Sequence, residues 1–224
     1  GIDNSPKLVK ACIDSIYRNA GKHPVVLLDS RNVSQYVSLP SKIINMVDKG
    51  EISITHFSDL VRFALMSQSG GFWLDATIYL TDEIPDIAYS MPYFSLNGTF
   101  DRWPWTDFLQ GSVERDLFTS RVCNYLIAFN LQYSQLITYL LVDTCMRYVY
   151  ENSSEARLEV DSIPNVDKSI FVLNDRLLDS TFSENEWREL KQRTFCHKLS
   201  YKFAHEERTG EGLTYFGKLV QEGR

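Results

Sequence analysis

Residues 56–77 constrain the fold more than any other part of the chain, because a helix and a strand meet there with only a double glycine between them. Apolar residues recur at helical spacing between residues 60 and 65, which predicts a buried stripe on the helix. Gly70 and Gly71 then end the helix, and a strand follows at once. A helix start and a strand end can meet at one ligand, as they often do in α/β proteins.

The first polar pair of this segment consists of Asp59 and Arg62. Ser58 predicts an N-cap, which places Asp59 in the first turn of the helix and Arg62 one turn later. Residues three apart lie on the same helix face, so these two side chains are neighbours. The spacing leaves two interpretations open: a surface ion pair favoured by the helix dipole, or a pair that binds a ligand.

The second polar pair, Asp75 and Thr77, lies in the strand. Side chains alternate along a strand, so this carboxylate and this hydroxyl point the same way and can reach a common ion. A carboxylate in an apolar strand is costly to bury without a partner. That partner is Arg62, another cationic side chain, or a divalent metal such as Mg²⁺ or Mn²⁺, which prefers oxygen ligands. The spacing alone does not decide between a salt bridge and a metal site.

The first half of the chain alternates helical and extended patterns. Ser5 is predicted to cap a helix that closes at Gly21, and Pro40 opens a second helix. Between them, residues 24–28 form a short apolar run that is typical of a strand buried on both faces. This rhythm predicts an α/β fold with an open sheet.

The second half is less regular. Residues 122–129 predict a strand, and residues 184–193 predict a charged surface helix. No linker is long enough to separate domains, so we expect one domain over residues 1–224.

Composition narrows the function classes. The chain has no run of 18 or more apolar residues, which argues against a membrane-spanning helix. Its formal net charge is −6 and no block of lysines or arginines forms a basic stripe, so nucleic acid is not an expected partner. The four cysteines are widely spaced and match no zinc motif, which predicts buried free thiols.

The central block resembles a known family. Ser58-Asp59-x-x-Arg62, followed by the run from Gly70 to Thr77 (GGFWLDAT), resembles the capsular polysaccharide synthesis glycosyltransferases. These are similar to the wider DXD-containing sugar transferases related to glycosyltransferase family 32, which include yeast-type initiating mannosyltransferases and glucosylating bacterial toxins. Residues 197–201 (HKLSY) and 214–219 (TYFGKL) resemble the closing motifs of the capsular family. Residues 1–6 resemble the segment that follows its first strand, so we expect a first strand upstream of residue 1.

The resemblance implies a fold and an activity. The fold is a GT-A type nucleotide-sugar-binding domain, with a mixed, mostly parallel central sheet and a helical elaboration on the acceptor side. The activity is transfer of a sugar, with retention at the anomeric carbon, from a nucleotide-sugar donor, among which UDP-sugars are favoured. The acceptor is a glycan or a lipid-linked glycan. The protein is then expected in the cytoplasm, at the inner face of the membrane, with peripheral membrane association.

The resemblance also assigns roles to residues. The catalytic set is Asp75, Asp59 and Arg62: the Asp59 and Arg62 pair contacts the donor sugar or ribose, and Asp75 is the first carboxylate of the DXD motif. Thr77 stands where the wider group often has the second carboxylate, which is a departure from that pattern. The full donor-binding set is Asp59, Arg62, Asp75, Thr77, His197 and Lys198.

The same resemblance implies a divalent metal, Mn²⁺ or Mg²⁺, held by Asp75 and His197. Lys198 would meet the donor diphosphate as a point charge. For His197 a partly buried structural histidine is the competing interpretation. For Trp103 and Trp105, a sugar platform competes with a packing role.

Two other functions compete with transfer. The Asp-x-Thr departure is compatible with a catalytically inactive transferase-like domain that binds a nucleotide or a glycan. A scaffold subunit of a polysaccharide assembly complex is a further alternative. Ligand-dependent thermal stabilisation separates the three, because a ligand that binds only the folded state raises its stability.

Overall fold

A computed structural model describes residues 4–100, 103–133, 138 and 140–223. The chain divides into two compact units, each assembled from segments that are separated in sequence. Unit 1 consists of Gly1–Leu27, Leu74–Pro85 and Asn165–Arg224, and unit 2 consists of Leu28–Trp73 and Asp86–Pro164. The prediction of one catalytic domain over residues 1–224 is not tested by this division and stays a prediction.

Helices dominate the described secondary structure, and the strands are short. The helices in chain order are α1 (Lys7–Arg18), α2 (Val33–Tyr36), α3 (Ser41–Asp48), α4 (Ile54–Ser69), α5 (Leu117–Gln132), α6 (Leu141–Asn152), α7 (Ser154–Asp161), α8 (Glu184–Arg193) and α9 (Tyr215–Glu222). The strands are β1 (Gly71–Leu74), β2 (Ile78–Leu80), β3 (Tyr93–Ser95), β4 (Leu109–Ser112), β5 (Cys196–Lys198), β6 (Arg208–Thr209) and β7 (Gly212–Leu213). Single turns of 3₁₀ or π-helix occupy Asp86–Ser90, Lys168–Phe171 and Leu173–Leu177.

Unit 1 has one apolar core to which distant segments contribute. Leu8 and Cys12 reach it from α1, Tyr79 from β2, Trp187 from α8 and Leu219 from α9. β2 and β5 pair antiparallel, and Tyr79 on β2 belongs to this core. The charged helix predicted at residues 184–193 is confirmed as α8, and its buried face carries the tryptophan of this core.

Unit 2 is organised around α5, which packs against α3, α4, α6 and α7. The helix begins at Asp116, whose carboxylate accepts a hydrogen bond from the Thr119 backbone N–H at 2.8 Å. Phe118, Val122 and Leu126 recur every four residues and are fully buried. The strand predicted at residues 122–129 is therefore wrong, because this spacing builds a helix face.

The helix that carries Asp59 and Arg62 begins earlier than predicted. Its N-cap is Ser53, whose hydroxyl accepts a hydrogen bond from the His56 backbone N–H at 3.2 Å. Ser58 lies inside α4 and not at its N-cap, and Asp59 lies in the second turn. The β-branched residues at its start lower helix propensity only slightly, and the serine cap outweighs them.

The double glycine ends α4 as predicted. Gly70 has a φ of 67° and donates its backbone N–H to the Met66 carbonyl at 2.8 Å. A Cβ atom on Gly70 would lie 2.7 Å from the Glu114 backbone nitrogen and 3.0 Å from the Ser112 carbonyl oxygen. Glycine is required here by both the left-handed backbone and the close approach of β4.

The strand predicted after the glycines is interrupted. β1 ends at Leu74 and β2 begins at Ile78, and the three residues between them form a turn. The Ile78 backbone N–H donates to the Asp75 carbonyl at 2.9 Å and closes this turn. A continuous strand over residues 72–79 is wrong, because β1 pairs with β4 while β2 pairs with β5, so the chain must turn between two sheets.

Within the described residues the strands form three small sheets, and the predicted mostly parallel central sheet is not among them. β1, β4 and β3 make one sheet, and the β2–β5 and β6–β7 pairs make the other two. The β2–β5, β3–β4 and β6–β7 pairs are antiparallel. The strand predicted at residues 24–28 is wrong: Val26 and Leu27 are exposed, and these residues form no strand. An apolar run predicts burial but does not supply a neighbouring strand. The mixed α/β class is confirmed.

Two further predictions can be compared with the structure. The four cysteines are buried and free, as predicted. Across the described part of the chain, no helix combines the length and apolar character that crossing a membrane requires.

The start of α4 gives the first testable prediction. Replacing Ser53 by alanine removes the N-cap acceptor and is expected to lower the free energy of unfolding by about 1 kcal/mol. Ser58→Ala is the matched control, and it should change that free energy by less than about 0.5 kcal/mol, because residue 58 lies inside the helix. Chemical denaturation measures both. A larger loss of unfolding free energy in Ser58→Ala than in Ser53→Ala would instead support the helix start predicted at Ser58.

Candidate functional site

Unit 1 contains a cluster of three polar side chains at the turn between β1 and β2. Lys198, at the end of β5, donates from Nζ to Asp75 Oδ2 at 2.9 Å and to Thr77 Oγ1 at 2.7 Å. The backbone holds this arrangement, because Lys198 lies opposite Ile78 in the strand pair and the Leu199 N–H donates to the Thr77 carbonyl at 2.9 Å. The prediction that Asp75 and Thr77 reach a common cation is confirmed, and that cation is Lys198.

The cluster is partly open to solvent. The Lys198 and Asp75 side chains are 23% and 30% exposed. An ammonium that two oxygen atoms already orient loses little side-chain freedom when it binds an anion. The arrangement is therefore suited to donate to a phosphate oxygen at a fixed position.

His197 lies on the other face of β5. Neighbouring residues of a strand point to opposite faces, so His197 turns away from the side on which Lys198 meets Asp75. Its ring is fully buried, lies opposite Tyr79 and packs 6.2 Å from the Trp187 ring. Burial lowers the pKa of His197 to about 4, and the backbone of Ile170 acts weakly in the opposite direction. The geometry favours the structural interpretation of this histidine.

The three side chains do not form a protein-only site for a divalent metal. Asp75 supplies one carboxylate and Thr77 one hydroxyl, and the Lys198 ammonium lies against both oxygens. A metal ion at that carboxylate would be repelled by the ammonium. Among the residues that the structure describes, no group of three or more histidine, cysteine or acidic side chains is placed to hold a metal. The predicted Asp75 and His197 metal pair stays a prediction that this geometry does not favour.

Unit 2 contains a second cluster, centred on Arg62. Arg62 is 4% exposed, with Nη1 at 3.5 Å from Asp59 Oδ1 and the guanidinium 5.1 Å above the Trp73 ring. The same nitrogen lies 4.0 Å from Asp107 Oδ2. The predicted Asp59 and Arg62 pair is confirmed as a contact, but it is buried, so the surface ion-pair interpretation is wrong.

A histidine fixes the other side of this pair. His56 Nδ1 lies 4.0 Å from Asp59 Oδ2, and its Nε2 lies 3.0 Å from Asn130 Oδ1 on α5. Burial lowers the pKa of His56, which keeps its ring neutral near pH 7. Asp59 thus lies between the Arg62 guanidinium and the His56 imidazole.

Two acidic members of the Arg62 cluster were not predicted from the sequence. Asp107 follows the tryptophan loop and is partly exposed. Asp143 lies in the first turn of α6, and its pKa is raised by burial and by repulsion from Asp107, against the opposing effects of the Trp105 indole and Arg62. The only signal for Asp107 was its position two residues after Trp105, and nothing in the local sequence singled out Asp143.

The two loop tryptophans pack. Trp105 is 1% exposed and stacks on Trp103 with ring centroids 5.2 Å apart. The Arg147 guanidinium lies 5.1 Å from the Trp103 ring. Both rings are therefore in contact with side chains of unit 2, which favours the packing interpretation over a sugar platform.

Unit 1 also has a cavity of about 710 Å³, between the start of α1 and residues 201–208. Three cationic side chains, Lys7, Lys202 and Arg208, line it together with two carboxylates, of which Glu207 pairs with Lys7 at 2.5 Å. Tyr201 and Phe203 also line it and are largely exposed. The N-cap residue of α1 is Pro6, whose side chain makes no hydrogen bond to the helix start. A cavity of this size and lining can hold an anionic ligand with a flat ring.

Comparison with known proteins gives a family. Residues 1–219 match the family model of the capsular polysaccharide synthesis protein. The match covers nearly the whole chain, and the protein belongs to that family. No curated protein matches the sequence. The resemblance found in the central block is thereby confirmed for the capsular family, and the relation to glycosyltransferase family 32 stays a prediction.

The buried His197 gives a prediction for acid stability. Its pKa is about 4 in the folded protein and about 6.5 in the unfolded chain, so the unfolded chain takes up the proton first as the pH falls. The contribution of the neutral His197 ring to the free energy of unfolding is fully present above pH 6.5 and is lost as the pH falls towards 4. Between pH 7 and pH 5 the parent should lose about 2 kcal/mol more unfolding free energy than His197→Gln.

Denaturant titrations at the two pH values measure this difference. Equal pH dependence in the parent and the His197 variant would show that residue 197 is not a buried neutral histidine.

Proposed function

We propose that the protein transfers a sugar from a nucleotide-sugar donor, a UDP-sugar by preference, to a glycan or lipid-linked acceptor during capsular polysaccharide synthesis. One observation carries the proposal: the Lys198 ammonium is held at 2.9 Å from Asp75 Oδ2 and 2.7 Å from Thr77 Oγ1. Negative charge develops on the nucleoside diphosphate as it leaves the sugar. A preorganised cation at that position stabilises the transition state more than the ground state.

In this proposal Lys198 binds the diphosphate. Asp75 and Thr77 accept hydrogen bonds from the ammonium and keep it in place while it donates to a phosphate oxygen. A carboxylate is therefore not required at position 77, because the Thr77 hydroxyl positions the lysine. This role gives a physical reason for an Asp-x-Thr sequence where the wider group has two carboxylates.

The cavity of unit 1 is suited to the nucleoside end of the same donor. Tyr201 follows Lys198 by three residues, so at most about 11 Å of extended backbone separates the two. The Tyr201 and Phe203 rings can stack on a base, which is favourable for any base because each has a π-face. The positive end of the α1 dipole and the cationic side chains Lys202 and Arg208 add positive potential for phosphate oxygens.

In unit 2 we assign Asp59 and Arg62 to the donor sugar or ribose, as the resemblance implies. Their support is burial together with proximity: the guanidinium lies 3.5 Å from the Asp59 carboxylate and 5.1 Å from the centre of the Trp73 ring. Polar groups held in this way discriminate strongly between hydroxyl patterns, because a wrong sugar leaves one of them unpaired. The GT-A type arrangement belongs to this proposal on the strength of the same resemblance.

The proposal makes Lys198 the resident positive charge at the diphosphate. Dependence on Mn²⁺ or Mg²⁺ stays a prediction from the resemblance. An ion would need to take most of its ligands from phosphate and water, since the turn offers one carboxylate.

Thermal unfolding against a panel of nucleotide sugars, with and without Mn²⁺, tests the proposal. The parent should be stabilised by one nucleotide class, by about 2.7 kcal/mol at a donor concentration of 100 times Kd. Lys198→Gln removes a charge-assisted hydrogen bond to phosphate and should raise the Kd for the nucleoside diphosphate about 10- to 100-fold. Lys22→Gln, a change at an exposed lysine of the same unit, is the matched control and should bind like the parent.

Other outcomes select the competing functions. Donor binding without sugar transfer or donor hydrolysis would identify a nucleotide-binding domain without turnover. No stabilisation by any nucleotide sugar would contradict the proposal and favour a scaffold subunit. If stabilisation requires Mn²⁺ and is unchanged in the Lys198 variant, a metal ion and not Lys198 binds the diphosphate.

A further inference from the structure

The cavity of unit 1 contains a histidine that the proposed function does not use. His205 lines the cavity, and its side chain is 9% exposed. Its Nδ1 lies 2.9 Å from Asp179 Oδ2, and its ring centre lies 5.5 Å from that of Phe216, which also lines the cavity. Its Nε2 is buried and has no hydrogen-bond partner among the residues that the structure describes. One nitrogen of the ring is therefore held by the protein, and the other has an unused capacity for a hydrogen bond.

The start of α9 fixes the chain beside both members of this pair. The Phe216 backbone N–H donates to the carbonyl of the residue before Asp179 at 2.9 Å. The Thr214 hydroxyl donates to the carbonyl of the residue after His205 at 2.6 Å. The pair is therefore preorganised, and a ligand that binds at Nε2 needs to order little further chain.

The Asp179 carboxylate decides what His205 Nε2 can bind. A carboxylate only accepts hydrogen bonds, so the proton of the neutral imidazole lies on Nδ1. Nε2 then carries a lone pair and accepts a hydrogen bond. The ligand group that meets it must donate an N–H or an O–H, because a second acceptor would leave two lone pairs facing each other away from water.

The aromatic lining of the cavity indicates which donor group this is. Tyr201 and Phe203 are 56% and 75% exposed and are free to stack on the face of a base of either ring size. A stacked base presents its Watson–Crick edge to neighbouring side chains, which read it by hydrogen bonds. On that edge uracil and guanine carry a ring N–H, whereas cytosine and adenine carry a bare ring nitrogen that only accepts.

We propose that the Asp179 and His205 pair selects the nucleobase of the donor, with His205 Nε2 accepting a hydrogen bond from the ring N–H of uracil or guanine. Cytosine and adenine are rejected, because their ring nitrogen would face the Nε2 lone pair. The inference rests on the proposed function, which places the nucleoside end of the donor in this cavity, and it adds the residues that choose the base. A purely structural role fits less well, because a buried polar atom without a partner costs stability.

Calorimetric titration of the protein with nucleoside diphosphates tests the inference. UDP and CDP form one pair and GDP and ADP the other, because ring size, ribose and diphosphate are the same within each pair. The parent should bind UDP about 10- to 100-fold more tightly than CDP, since cytosine leaves the buried acceptor unpaired. GDP should be preferred over ADP for the same reason.

Two variants change the pair itself. His205→Phe keeps a flat ring beside Phe216 and removes both nitrogens, so it should weaken UDP binding about tenfold without weakening CDP binding. Asp179→Asn can donate to Nδ1 as well as accept from it, which allows the proton to lie on Nε2. The preference for UDP over CDP should therefore fall at least about threefold in that variant. Asp175→Asn changes an exposed carboxylate of the same unit outside the cavity lining, and as the matched control it should keep the preference of the parent.

The outcomes separate the inference from the proposed function. CDP binding that is unchanged in His205→Phe shows that this variant is folded. If the parent binds UDP and CDP equally, or if His205→Phe keeps the preference for UDP, the inference is overturned and the proposed function stands. Equal weakening of UDP and CDP in a folded His205 variant would also overturn it and would assign Nε2 to a ribose hydroxyl. If no nucleoside diphosphate binds, the proposed function fails and the inference fails with it.

Discussion

The Lys198 ammonium joins parts of unit 1 that are far apart in the chain. Its partners Asp75 and Thr77 lie 123 and 121 residues earlier, in a turn between two short strands. The turn exists because β1 and β2 belong to different sheets, and β5 brings the lysine to it by pairing with β2. The turn after Leu74 and the register of β5 against β2 therefore together place one cation against two oxygens.

Part of this arrangement could be predicted from the sequence. Local rules located the double glycine, the helix before it and the two polar pairs, because these depend on backbone conformation and spacing that neighbouring residues set. The identity of the Asp75 partner could not be derived in this way. It depends on a strand pairing across more than a hundred residues, so the spacing left a salt bridge and a metal equally open.

The failures have the same origin. The helix begins at Ser53 and not at the predicted Ser58. Two serines in one segment can both act as caps, and only the packed structure selects one. Residues 122–129 are apolar and aromatic enough for a strand, yet burial of Phe118, Val122 and Leu126 on one side selects a helix. The sequence did not predict Asp107 and Asp143 beside Arg62, because Asp107 comes from a loop and Asp143 from α6.

A release assay for nucleoside diphosphate tests the central claim most directly. The parent, Lys198→Gln and Lys22→Gln would be incubated with the stabilising nucleotide sugar and a membrane extract that supplies acceptors. The account predicts steady release by the parent and the Lys22 variant, and a rate at least about 100-fold lower in the Lys198 variant, equivalent to about 2.7 kcal/mol of transition-state stabilisation. Equal rates in the parent and the Lys198 variant would contradict the assignment of this lysine to the leaving group.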